Sequence, residues 1–388
     1  MAAGRFLDHE RPRTLLENVL RAGTMPPAWL FTGPHGVGKE EAALEMAMAV
    51  NCTASLPGPG LDLFTAPAAE VTEPGRTGGT EPGEYRLGGC RVCSSCARIA
   101  RYVHPDVIVR LPLPATRGNP TQPSDPSEAL AFKAAHPYRD PVVTGGNLAI
   151  RIADVRDVIA KLGLAPVEGE RRVVIFREAE LMTDEAQNAL LKSLEEPPTH
   201  TLFVLTTDRP QRLLPTIRSR CRTVYFGPLS ADVIAGWLRE RGVDSELEHL
   251  PALARGSLKR ALDIAGGQIP GRSEALQLLE WAAAGERVKA LRWSAEQTFR
   301  SGQGAQTVAR EVVAELLSLI RDVAALQSGE EALQNPDQAE LLHRMAAALP
   351  PEAGQKALAV TLQACGEVDS FVNLALIYAS LYEAISPA

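Results

Sequence analysis

The 388-residue sequence predicts an α/β chain: a mostly parallel sheet covered by helices on both faces, followed by an all-helical remainder. Three observations predict it. Short apolar runs alternate with helix-like segments from residue 12 to 112 and again around 172–206. A glycine-rich loop separates the first run from the first strong helical segment. From about Pro270 the alternation gives way to long Ala/Leu segments around 274–299, 305–327, 338–349 and 353–386, the pattern of a separate helical domain.

The strand candidates are Trp29–Thr32, Asp106–Arg110, Arg172–Phe176 and Leu202–Thr206, each a short apolar or β-branched run. Lys39–Asn51, rich in Ala, Met and Leu, reads as the helix after the glycine loop. A further helix starts at a Thr183 or Asp184 cap, carries Ala186, Ala189, Leu190 and Leu194 on one stripe, and stops at Pro197-Pro198. The chain turns helical again from about Leu229, with Val233, Ile234, Trp237 and Leu238 as its stripe. Residues 54–89 and 113–147 are crowded with Pro, Gly and polar residues and are expected to be mobile insertions on loops. No internal repeat is visible.

Composition narrows the function. Hydrophobic residues make up 45 % of the chain, ample for packed cores, and the formal net charge of −7 argues against a surface that binds nucleic acid by charge alone. No apolar run reaches the roughly 18 residues of a membrane span. The first ten residues lack an apolar signal core. A cytoplasmic protein is the expectation.

The glycine loop, Phe31-Thr-Gly33-Pro-His-Gly36-Val-Gly38-Lys39, has the form of a phosphate cradle. Gly33, Gly36 and Gly38 let backbone N–H groups approach phosphates at a helix N-terminus, and Lys39 would neutralise their charge. The next residue should be Ser or Thr, whose hydroxyl binds Mg²⁺; here it is Glu40. The acidic pair expected after the strand Arg172–Phe176 reads Arg177-Glu178. Two Mg²⁺ ligands are thus missing from an ATPase frame. A packed relic loop, binding of ATP or ADP without turnover, and hydrolysis through unusual ligands such as Glu178 all remain open.

Cys90, Cys93 and Cys96 form a Cys-x₂-Cys-x₂-Cys run. In a reducing compartment such clustering points to metal rather than disulfides. Zn²⁺ takes four tetrahedral thiolate or imidazole ligands. The fourth is Cys52 or His104; Cys52 is favoured because it completes a closed, structural Cys₄ set. An iron–sulfur cluster would want a nearby fourth cysteine followed by Pro, which the chain lacks after Cys96. The third feature is a run of arginines, Arg209, Arg212, Arg218, Arg220 and Arg222. It reads either as a solvated basic loop or as a source of a guanidinium for a transferred phosphoryl group.

Taken together and in order, Cys52…Cys90-x₂-Cys93-x₂-Cys96, His104-Pro105-Asp106, Asn188-Ala-Leu-Leu-Lys-Ser-Leu-Glu-Glu-Pro-Pro198 and Ser219-Arg220-Cys221 resemble the AAA+ subunits of the bacterial DNA polymerase III clamp loader. The resemblance spans about residues 10–265. It implies a RecA-like AAA+ domain over 1–227 with a zinc module at about 52–104, a small helical lid over 228–269, and a helical collar over 270–388. It implies structural Zn²⁺ on Cys52, Cys90, Cys93 and Cys96, and an arginine finger, Arg220, reaching a neighbouring subunit's ATP. Near Gly256-Ser257-Leu258, where the family's ATPases carry a sensor arginine, Lys259 or Arg260 stands close. The implied partners are gamma/tau ATPase subunits, the delta subunit, the sliding clamp and primed DNA. Glu40 and Arg177, and an end without tau's long extension, point to the non-hydrolysing kind of subunit. An active gamma/tau-type ATPase is the alternative; a zinc-dependent DNA-binding module is another.

Overall fold

The computed structural model describes residues 9–54, 87–114, 125–141, 148–243, 249–297, 303–330, 332–369 and 373–386. They fall into two compact units, Met1–Val233 with Gly256–Lys259, and Ile234–Arg255 with Arg260–Ala388.

In the first unit, five strands form one sheet: β1 (Ala28–Thr32), β2 (Val107–Arg110), β3 (Arg172–Phe176), β4 (Thr201–Thr207) and β5 (Arg222–Tyr225). The order across the sheet is β2-β3-β4-β1-β5 and every pairing is parallel. Parallel strands need crossovers, and α1 (Glu10–Ala22), α2 (Lys39–Asn51), α3 (Ser94–Ala100), α4 (Ser127–Ala135), α5 (Ile152–Leu162), α6 (Asp184–Glu195) and α7 (Pro215–Arg220) precede or connect them. Both faces of the sheet are covered. Trp29, Phe31, Val173, Ile175, Leu202 and Val204 point to the side packed by α1, α2 and α3. Their neighbours Leu30, Val174, Phe176, Phe203 and Leu205 point to the side packed by α5, α6 and α7. Apolar residues at successive positions of the central strands are what a doubly covered sheet requires.

The strand and helix expectations hold closely. α2 has the bounds read from the sequence, and α6 is capped by Thr183, whose hydroxyl accepts from the Ala186 N–H at 3.3 Å. The reading missed β5. It is an edge strand in which only Val224 is buried, so no apolar run marks it. The stretch 113–147 needs correction: it contains α4, whose Leu130 and Lys133 are buried. Residues 55–86, 115–124 and 142–147, which hold most of the expected insertions, lie outside the described residues.

The second unit is helical: most of α8 (Ala231–Glu240), then α9 (Leu250–Leu253), most of α10 (Leu258–Ala265), α11 (Arg272–Ala283), α12 (Arg287–Glu296), α13 (Gln303–Gln327), α14 (Ala339–Ala348), α15 (Pro351–Asp369) and α16 (Leu374–Ile385). Its core is built from Leu278, Leu279, Val312, Leu316, Ile320, Leu342, Tyr378 and Leu381. Two of the long segments expected here are broken. Gly285, at φ +69°, separates α11 from α12, and Asn373 caps α16 by accepting from the Ala375 N–H at 2.9 Å. Inside this unit the buried Glu315 carboxylate is shared by Arg255, Arg260 and Arg272.

Candidate functional site

The glycine loop runs from the C-terminal end of β1 into the N-terminus of α2, where parallel sheets bind ligands. Its glycines are demanded by close approach. A Cβ on Gly33, at φ +139°, would lie 2.0 Å from the Phe226 carbonyl oxygen, and one on Gly36, at φ +75°, would lie 2.4 Å from Ser257 Oγ. Gly38, also at positive φ, is the N-cap of α2. Lys39 turns back on this loop: its Nζ donates to the Gly33 carbonyl at 2.7 Å and the Pro34 carbonyl at 2.6 Å. Burial, which lowers the Lys39 pKa, outweighs the surrounding carboxylates.

Glu40 is buried and fully engaged. Its Oε2 lies 3.0 Å from Arg177 Nε and 3.0 Å from Lys133 Nζ, and its Oε1 accepts from the Tyr102 hydroxyl at 2.8 Å. Burial by itself would raise the pKa of this carboxyl; Arg177, Lys133 and Tyr102 overcome that and hold it below its ordinary value. Arg177 sits at the end of β3 and also reaches Asp140 at 3.1 Å and Glu178 at 3.3 Å. Burial opposes its charge, yet Glu40, Glu178 and Asp140 keep the guanidinium protonated. The two departures read from the sequence are therefore one reciprocal exchange. A carboxylate stands where a hydroxyl would hold Mg²⁺, and a guanidinium stands where the metal's carboxylate would be.

The rest of the cleft is also charged. The side chains of His35, Asp140 and Glu178 place one ligand atom each within 4.8 Å of one another, but Arg177 already pairs with both carboxylates. Lys259 Nζ lies 3.9 Å from Asp140 Oδ2, whereas Arg260 is turned to Glu315 and the Leu253 carbonyl. Of the two cations near Gly256, Lys259 is thus the one that lines this cleft. Glu180 and Asp208 share a hydrogen bond. Burial, reinforced by Asp208, pushes the Glu180 carboxyl up to about 8. Asp208 falls to about 2: burial opposes, but the Glu180 hydrogen bond and the Arg209 charge win.

The four cysteines converge. Cys52 is the C-cap of α2, Cys93 caps α3, and one sulfur from each of Cys52, Cys90, Cys93 and Cys96 lies within 4.8 Å of the others. Tetrahedral thiolates at about 2.3 Å from Zn²⁺ stand about 3.8 Å apart, and Cys52 Sγ is 4.0 Å from Cys93 Sγ. Backbone N–H groups of Cys90, Cys93 and Cys96 aim at Cys52, Cys90 and Cys93 sulfurs at 3.2, 3.2 and 3.4 Å. Such donors stabilise thiolates, so the set fits a closed metal site. Gly89 is glycine for the same reason: a Cβ there would meet Cys96 Sγ at 2.8 Å. His104 is used elsewhere. Its Nδ1 accepts from the Asp106 N–H at 3.1 Å and its Nε2 meets Ser95 Oγ at 3.0 Å. Asp106 in turn receives the N–H groups of Val167, Glu168 and Gly169 at 2.7–2.8 Å, the structural work of His104-Pro105-Asp106.

Arg220 is the last residue of α7, and Cys221 leads directly into β5. Ser219-Arg220-Cys221 therefore precedes an edge strand, with α7 between it and β4. The guanidinium is on the surface. It donates to the Thr216 carbonyl at 2.9 Å and pairs with Glu195 at the end of α6. The neighbouring arginines serve the unit itself. Arg222 stacks over Trp29 at 5.5 Å, and Arg209 pairs with Asp208 and Glu180.

Sequence reasoning named the exchanged residues and the four thiols but missed Lys133, Asp140 and Tyr102. The available signal was the acid at position 40: buried at a helix start, it demanded a cation.

Among known proteins, a family model described as DNA polymerase III, delta subunit, matches residues 80–230. The DNA polymerase III subunit delta' of Bacillus subtilis (strain 168) is 30 % identical over 254 residues, 66 % of this chain and 58 % of the relative. The subunit delta' of Escherichia coli (strain K12) is 37 % identical over 150 residues, 38 % and 42 % of the two chains. The subunit tau of the same strain is 28 % identical over 372 residues, 88 % and 47 %. The chain thus spans about half the length of these relatives. With its parallel sheet, glycine loop and clustered cysteines, the chain is similar to delta' and tau subunits of DNA polymerase III.

Proposed function

We propose that this chain is a non-hydrolysing, delta'-type subunit of the DNA polymerase III clamp loader. One observation carries the reading: Glu40 and Arg177 hold each other at 3.0 Å where Mg²⁺ and its ligands would sit. A nucleotide here would need Mg²⁺ to displace a buried guanidinium, and phosphates would need Lys39 to leave two carbonyls. Similarity to a tau subunit keeps an active ATPase as the competing reading, and the same ion pair argues against it.

In this reading residues 1–227 form the AAA+ domain, 228–269 a lid and 270–388 a collar. The chain assembles in the cytoplasm with gamma/tau and delta subunits around the sliding clamp and primed DNA. Arg220, exposed at the end of α7, supplies a guanidinium to ATP on an adjacent subunit. Lys259 takes the place of the sensor arginine. Cys52, Cys90, Cys93 and Cys96 hold a structural Zn²⁺, which supplies a cross-link between α2 and α3 and no catalysis.

The test is co-purification with candidate loader subunits, followed by ATPase assays of the assembly with and without this chain. We expect no turnover by the chain alone and greater clamp- and DNA-stimulated hydrolysis when it is present. Turnover by the chain alone that vanishes in Lys39→Ala would overturn the reading.

A further inference from the structure

The zinc-ligand module does more than close on itself; it runs alongside α2 and holds it at three points. At the C-terminal end, Cys52 belongs to the thiol cluster and the Asn51 carbonyl accepts from Ser95 Oγ at 2.7 Å. In the middle, the buried Glu45 carboxylate pairs with Arg91, which lies between Cys90 and Cys93. At the N-terminal end, the Tyr102 hydroxyl donates to Glu40 at 2.8 Å. Twelve residue steps separate Glu40 from Cys52 along the helix, about 18 Å.

Two of the side chains that reach α2 from this module, those engaged with its carboxylates, come from backbone in an unfavourable region. Arg91 has φ +60° and Tyr102 has φ +59°, the left-handed conformation that non-glycine residues adopt only when their surroundings impose it. Arg91 sits before α3 and Tyr102 just after it. The helix carrying Cys96 is thus bracketed by strained residues, each engaged with a carboxylate of α2.

We infer that metal binding at the four cysteines sets the position of Glu40, with Tyr102 as the link, so that zinc occupancy is read at the Glu40–Arg177–Lys133 cluster. The inference rests on the zinc reading above. Metal bound by Cys93 and Cys96 fixes the start of α3; α3 fixes Tyr102 at its far end; Tyr102 holds the carboxylate against its two cations. Without metal, α3 keeps its packing and hydrogen bonds to α2 but loses the anchor at its start, and the first turn of α2 loosens. Tyr102 is a positioning residue in this scheme.

Hydrogen exchange of the full chain tests it, following the amides of Ala42–Leu44 in α2 and those flanking Cys52. Zinc content is measured first: a native protein that takes up no zinc overturns the metal reading and this inference with it. Adding zinc to metal-stripped protein should slow exchange about tenfold at both ends of α2. In zinc-loaded Tyr102→Phe, whose ring still fills its site, exchange at Ala42–Leu44 should rise about tenfold while zinc content and the Cys52 end stay unchanged. Zinc-loaded Tyr102→Phe with wild-type exchange at Ala42–Leu44 overturns the inference and leaves the zinc site standing. This second arm can overturn the inference even if stripping the metal unfolds the chain.

Discussion

Arg177 Nε and Glu40 Oε2 lie 3.0 Å apart, and the two residues come from different elements, β3's end and α2's first turn. Each is a substitution that would be damaging alone. An unpaired buried carboxylate or guanidinium costs several kcal/mol, whereas the pair, with Lys133 and Tyr102 completing the hydrogen bonds, is tolerated. Each of the two departures from the phosphate-loop pattern supplies the partner that the other needs.

Glu40→Ala should destabilise the chain by about 3–5 kcal/mol, because it strips the buried Lys133 of its partner and Arg177 of its shortest carboxylate contact. Arg177→Met should cost less, since Glu40 keeps Lys133 and Tyr102. Adding Lys133→Met to Glu40→Ala should recover part of the loss. Urea unfolding of the three variants checks the order. A Glu40→Ala midpoint equal to wild type would show that the cluster contributes nothing to stability.

Much of this was legible in the sequence. Strands at 172–176 and 202–206 could be read because every position but Arg172 is apolar or β-branched, as burial on both faces demands. The thiol set was legible from spacing, and Cys52 from its place at the end of the glycine-loop helix. The cations around Glu40 were not. Lys133 and Asp140 sit in a proline-rich stretch whose composition reads as loop, and pairing between residues 93 positions apart leaves no local pattern. Tyr102 and Arg91 were hidden for a similar reason: positive-φ backbone at a non-glycine residue carries no sequence signature.

One equivalent of zinc per chain should copurify with the protein. Cys52→Ala should lower it strongly, because a three-thiolate remnant is an open site. His104→Ala should leave the zinc content near wild type, since both ring nitrogens are spent on the Asp106 N–H and Ser95. Elemental analysis of both variants is the measurement. The opposite ranking would exchange the fourth ligand.

Stability should fall as pH rises from about 5 to 8. Glu180 titrates near its ordinary value of 4.5 when unfolded and at about 8 when folded. Below the lower value both states are protonated and the folded form keeps its full advantage. Between the two the folded chain binds the extra proton, so raising the pH favours unfolding. Glu180→Gln keeps the neutral hydrogen-bonding group and should flatten this slope, gaining on the order of 1–3 kcal/mol relative to wild type near pH 8. Parallel slopes for the two proteins in urea melts from pH 5 to 8.5 would remove Glu180 as the cause.

Arg220→Ala should leave the chain folded, metal-bound and able to assemble, because its guanidinium lies on the surface, bonded to the Thr216 carbonyl of α7 and the Glu195 carboxylate of α6. Exposed pairs of this kind contribute little, about 0–1 kcal/mol. The expected loss is in the assembly. A guanidinium delivered to a transferring phosphoryl group is worth roughly 10³–10⁵ in rate at its own site. A loader with several ATP sites should lose less overall when one is impaired. Arg220→Lys should rescue little, since an ammonium lacks the planar fork. Arg222 is a poor control because it stacks on Trp29; Arg218, on the same helix and exposed, is the better one. Glu195→Gln adds a second comparison: it releases Arg220 from its resting partner without removing the guanidinium, so hydrolysis should be kept or raised. If the Arg218→Ala and Arg220→Ala assemblies are equally slow, the effect is one of general basic charge. If the Arg220→Ala assembly hydrolyses ATP and loads clamps like wild type, Arg220 has no role in the neighbour's chemistry.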